Sequence, residues 1–189
     1  MSTVRLVLEL ESDVGAERMF VMAEQWMQKL AQDLADKDRE AAEDIKRREH
    51  REKLLSEQAQ PFFRTFAECF KHLVEEMSTL LSAHHLHSEQ NCNLDGSGRT
   101  FTFNRTRLPF ISASVAYHPQ GHMVNVSYTI CNPEMPQNTS VAGRSIQARF
   151  EVSHHGKAGL VLDGKDFYEP KEAAEFLVKK LFTVEEPKG

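Results

Sequence analysis

From about Gly15 to about Leu86 apolar residues recur at steps of three and four, whereas from about Arg99 to Val152 they alternate with polar ones. The first spacing belongs to one face of a helix and the second to a half-buried strand, so the chain changes its period once, near residue 90. This predicts an α+β protein. Long N-terminal helices would form a hairpin or an oligomeric helical module, followed by a small antiparallel β-sheet covered by a C-terminal helix. The natural division is a helical module over residues 1–90 and a sheet with its helix over 91–189.

Within the helical region two apolar stripes stand apart. Met19, Met22, Ala23, Trp26, Met27, Leu30 and Leu34 mark the first, and Phe62, Phe63, Phe66, Phe70, Leu73, Val74, Met77, Leu80 and Leu81 the broader second. Between them, residues 33–53 carry few apolar residues but many strong helix formers and opposite charges four apart, such as Asp33 with Lys37 and Glu49 with Lys53. That stretch reads as a solvated helix or as the exposed tip of a hairpin closed by the two stripes. Pro61 either starts a second helix or kinks a continuous one. Before all this, Val4, Leu6, Leu8 and Leu10 alternate with Arg5, Val7, Glu9 and Glu11, which favours a short N-terminal strand over a first helical turn.

In the second half, strands are expected around Phe101–Asn104, Ile111–His118, Val124–Cys131 and Ile146–Ser153. A terminal hairpin turns at Asp163-Gly164, and a closing helix starts at Pro170. Three to five strands result. The loop Asn132–Ser140, with two prolines, would edge the sheet, and Glu185–Gly189 would fray.

Composition narrows the function without choosing it. Forty per cent hydrophobic residues in a chain of 189 suffice for a core. A formal charge of -5, from 28 acidic against 23 Lys and Arg residues, argues against nucleic acid as partner. Lys46, Arg47, Arg48, His50, Arg51 and Lys53 are diluted by Asp44, Glu49 and Glu52 and have no aromatic residue among them, so they read as a charged helix face. No apolar run is long enough for a membrane span or a leader, which makes the cytoplasm the expected compartment and the glycosylation-type triplets at Asn104, Asn125 and Asn138 accidental.

Candidate chemistry is sparse. Asn91, Asn93, Asp95 and Gly96 resemble the start of a calcium loop, but Thr102 stands where a bidentate Glu is needed, so a metal-free turn is expected. His84, His85 and His87 with Cys92 are the best zinc or nickel candidate, yet they lack an established ligand unit. Neither metal nor cofactor is assigned. Cys92 or Cys131 with His118, His122, His154 or His155 would make a thiol nucleophile only if a base lay within reach, so no catalytic residue is assigned. Phosphate-binding glycine motifs are missing from the sequence.

The expected function is therefore a noncatalytic protein-interaction or assembly module. It would self-associate, with a dimer as one expected state, through Trp26, Leu30, Phe62, Phe66 and Phe70, and its polar sheet face and Asn132–Ser140 loop would serve a second protein partner. The alternative is a small-molecule-binding domain with a pocket between sheet and helix near Tyr117, Tyr128 and Phe150. A metal- or cysteine-dependent enzyme ranks third.

Overall fold

The computed structural model describes residues 3–84, 90–106, 110–131 and 143–183, with side chains described for all of these except 3–24, 130 and 131. Helix α1 spans Thr3–Ala83 and contains Pro61. Seven strands follow, β1 (Gln90–Leu94), β2 (Thr100–Arg105), β3 (Phe110–His118), β4 (Met123–Cys131), β5 (Arg144–Val152), β6 (Ala158–Leu162) and β7 (Lys165–Phe167). Helix α2 (Pro170–Phe182) closes the described chain. The sheet is an antiparallel meander in which each strand pairs with the next in sequence.

Two compact units divide at Glu49 and His50. The reason is the second apolar stripe. From Leu55 onward α1 turns Phe62, Phe63, Phe66, Phe70 and Val74 into the same core as the sheet, so this half of the helix folds with the strands. One helix therefore stands in place of the expected pair, with Pro61 on its exposed side. A proline inside a helix costs about 3 kcal/mol. Burial of the phenylalanines beside it offsets that loss, at roughly 1.5–3 kcal/mol for each side chain fully removed from water. The N-terminal strand is likewise not formed: residues 3–10 are helical, because alternation over so few residues does not outweigh the helical pattern that follows.

Register puts one set of side chains on the inner face. Phe101 lies opposite Val115, Val115 opposite Val126, and Val126 opposite Ile146, and all four are buried. Against them α1 sets alternating large and small residues, with Ala59 and Ala67 among the phenylalanines. The rings of Phe70 and Phe101 are 5.0 Å apart, those of Phe63 and Tyr117 5.5 Å, and those of Phe62 and Phe150 5.4 Å edge-on. Such pairs add about 0.5–1.5 kcal/mol each beyond the area they bury. The outer face carries exposed Asn104, Ser112, Asn125, Ser127 and Gln147.

Helix α2 begins at Pro170, has Glu172 in its first turn and Lys179 and Lys180 in its last, and buries Ala173, Ala174, Leu177 and Leu181. Lys180 donates to the Asp163 carboxylate in the β6–β7 turn. Asp163 and Gly164 there take φ of 54° and 75°, the left-handed pair that a tight two-residue hairpin requires. Gly159 in β6 admits no side chain, since a Cβ would stand 2.5 Å from the Tyr168 ring.

Seven strands exceed the expected three to five. The unforeseen β1 is an edge strand whose Asn91, Cys92 and Asn93 look like turn residues, yet they pair residue by residue with β2. Edge strands tolerate such polar sequences because one side of their backbone meets water.

Candidate interaction surfaces

In the Met1–Glu49 unit the helix is solvated on all sides from residue 25, apart from half-buried Asp36. Its polar faces hold intrahelical pairs, Arg39 to Asp36 at 3.5 Å and Arg47 to Asp44 at 3.1 Å. Exposed pairs of this kind contribute a few tenths of a kcal/mol each. Its apolar residues are different. Trp26, Met27, Leu30, Leu34 and Ile45 are between 43% and 65% exposed. At 3.6 residues per turn these five fall within an arc of about 100°, the width of a face that ordinarily packs against something. Among the described residues the only other large apolar side chain so exposed is Leu80.

Leu80 lies at the second surface, in the His50–Gly189 unit. A groove of about 400 Å³ runs between α1 and α2, lined by Leu73, Met77 and Leu80 on one side and by Val178 and Phe182 on the other, with Glu76, Glu175 and Lys179 beside them. Phe182 is held from behind by Phe103, 5.8 Å between rings, and by the Arg105 guanidinium, 5.3 Å from its ring centre. Burial lowers the Arg105 pKa, without discharging a group that begins so high.

The sequence-predicted site residues separate into three places. Trp26 and Leu30 lie in the exposed stripe. Phe62, Phe66 and Phe70 lie inside the core of their own chain. Tyr117, Tyr128 and Phe150 are buried as well, and Tyr117 and Phe150 meet edge to face at 5.6 Å. These three residues belong to the hydrophobic core cluster, and a groove of the same unit lies between the two helices. Comparisons of the chain with protein-family models, with curated proteins and with solved structures found no match.

Polar side chains fix α1 to the strands. The Gln58 amide donates to the Gly156 carbonyl at 3.2 Å and accepts from the Ala158 N–H at 2.9 Å, closing the β5–β6 turn as a neighbouring strand would. Gln58→Ala leaves both backbone groups short of a partner and should cost about 1–3 kcal/mol. A denaturant melt will read this as a lower midpoint with unchanged slope; an unchanged midpoint would show the clamp to be unnecessary. Nearby, the Tyr117 hydroxyl meets His122 Nδ1 at 3.3 Å while His122 Nε2 meets the Glu52 carboxylate at 3.2 Å. His122 takes the left-handed φ of 49°, which lets the β3–β4 turn aim the ring between the two. Burial raises the Tyr117 pKa. Spacing in the sequence could not reveal either contact, since Gln58 and Glu52 are 98 and 70 residues from Gly156 and His122.

The calcium-like segment is a hairpin turn. Asp95 Oδ1 accepts from the backbone N–H of Arg99 at 2.9 Å and of Thr100 at 3.0 Å, while Oδ2 accepts from the Ser97 hydroxyl. The Ser97 bond, then the backbone bonds, hold the carboxyl below its ordinary pKa. A depressed carboxylate contributes stability above the ordinary Asp range and loses it as pH falls through the folded value, so the turn weakens only in acid. Among the described residues no three or more His, Cys, Asp and Glu side chains are placed to hold a metal ion. His84 is exposed at the end of α1, and His85 and His87 lie outside the described residues, as does the loop Asn132–Ser140.

Cys92 is half-buried, and burial pushes its thiol up to about 11, against a lesser opposing effect of Lys71. A nucleophile needs the reverse shift. Relative to an ordinary thiol at 9.0, this reduces the thiolate fraction near pH 8 about a hundredfold, so Cys92 should alkylate correspondingly slowly in peptide mapping of the native protein. Labelling as fast as a free peptide thiol would contradict the buried placement. Cys69 is half-buried on α1 against the core. No helix among the described residues is long and apolar enough to cross a membrane.

Proposed function

We propose that this protein is a noncatalytic assembly module that self-associates through the helix of its Met1–Glu49 unit. The observation that carries the reading is the stripe of Trp26, Met27, Leu30, Leu34 and Ile45, exposed on one arc, shared with Lys37 and Asp44, of a helix whose other faces are mostly polar. Exposed apolar faces of this breadth are the usual mark of an interface, and Trp is the residue type most enriched among the few that dominate binding energy. The interface set is correspondingly revised to Trp26 and Leu30 with Met27, Leu34 and Ile45. Phe62, Phe66 and Phe70 are engaged in the core and are not part of it. Native mass spectrometry of the intact chain and of Leu30→Glu tests the reading, since only the unsubstituted chain should form the oligomer.

A small-molecule-binding role is the second reading, favoured by the groove between Leu73, Met77, Val178 and Phe182. Its apolar lining suits a hydrophobic ligand. The same native mass measurement separates the two readings, because a retained nonprotein mass supports the groove and a bare oligomer supports the stripe.

A further inference from the structure

We infer that the partner of the exposed stripe is a second copy of the same stripe running in the opposite direction, with a two-fold axis between residues 35 and 36. The inference rests on the self-association proposed above and adds its orientation and register. Six residues run along the arc at regular steps, Trp26, Leu30, Leu34, Lys37, Ala41 and Ile45, separated by four, four, three, four and four positions. That spacing is the same read from either end. Turning one copy round about residues 35 and 36 therefore superposes each of these six positions on another: Trp26 faces Ile45, Leu30 faces Ala41 and Leu34 faces Lys37 of the second copy, while Met27 comes level with Asp44.

The pairing that results is also the better fit. Large Leu30 meets small Ala41, which suits interdigitation of two helices. A parallel pair in register would instead set Leu30 against Leu30, Ala41 against Ala41 and Lys37 against Lys37, apposing two ammonium groups on the apolar seam. Reversed, the Lys37 stem lies on Leu34 while its head turns outward to water. Charge at the ends points the same way. Lys46, Arg47 and Arg48, with Glu43, Asp44 and Glu49 beside them, stand at one end of the stripe, and Glu24 at the other. The antiparallel register sets position 24 level with position 47, which brings the basic run within about a Debye length of an acidic residue, whereas the parallel one brings basic to basic. A two-fold pair of this kind is self-complementary and closed, so it stops at the dimer.

Cysteine pairing tests the orientation. In the antiparallel dimer residue 26 meets residue 45 of the other copy, while the two residues 45 are nineteen helical positions apart, about 28 Å. The double variant W26C/I45C, mildly oxidised, should give a covalent dimer whose link maps by peptide mass spectrometry to 26–45. The single variant I45C, which keeps Trp26, Leu30 and Leu34, should give no 45–45 link. A 45–45 or 26–26 link overturns the antiparallel orientation while leaving self-association in place. An unsubstituted chain that stays monomeric in native mass spectrometry at tens of micromolar, with neither link formed in the variants, overturns the self-association reading and this inference together.

Discussion

Phe66→Asp will unfold the His50–Gly189 unit, and the change will appear as loss of the β signal and of a cooperative thermal transition. Phe66 is fully buried, 5.7 Å from the Phe101 ring and 5.9 Å from that of Phe63. Truncating a buried Phe alone costs about 3–5 kcal/mol. Setting a carboxylate in the vacated site adds the cost of desolvating a charge with no partner, or of keeping it protonated. Together these reach the whole stability of an ordinary domain, about 5–15 kcal/mol. The result decides between two roles the sequence leaves open to this residue. If the variant kept its fold and changed only its oligomeric mass, Phe66 would be an interface residue and the packing of α1 on the sheet would be wrong.

Leu30→Glu should do the opposite. It lies on the exposed stripe of the Met1–Glu49 unit, so the β signal and melting of the sheet unit should be unchanged while association weakens at least a hundredfold, about 2.7 kcal/mol. The two-fold relation places the substitution twice in each dimer, which makes this a lower bound. Equilibrium sedimentation over a concentration series measures it. An association constant unchanged by the charge would remove Leu30, and with it the stripe, from the interface.

Much of the fold is readable from period and punctuation. Alternation at Ile111–Tyr117 and Val124–Ile130 identifies β3 and β4, Asp163-Gly164 marks the β6–β7 turn, and Pro170 marks the start of α2, because each feature is local. What a local pattern does not contain is the identity of the partner. The Phe62–Phe70 stripe reads equally well as packing on another helix or on a sheet, since apolar steps of three and four specify a face and not what covers it. The sequence likewise gives Trp26 and Phe66 the same standing, although one is 65% exposed and the other fully buried. Strand β1 escapes notice because cross-strand pairing with Arg105, Asn104 and Phe103 holds residues whose own preferences favour a turn. The groove between Met77 and Phe182 joins two helices separated by the entire sheet in sequence, which no spacing argument reaches.

The exposed stripe is either covered by a second copy or left in water. Native mass spectrometry of the untagged chain beside Leu30→Glu, from about 1 to 50 micromolar and at matched ionic strength, separates the two most directly, because concentrations in this range correspond to the micromolar affinities expected of a modest interface. A dimer for the unsubstituted chain and a monomer for the variant is the predicted result. Monomer for both across the whole range would contradict it.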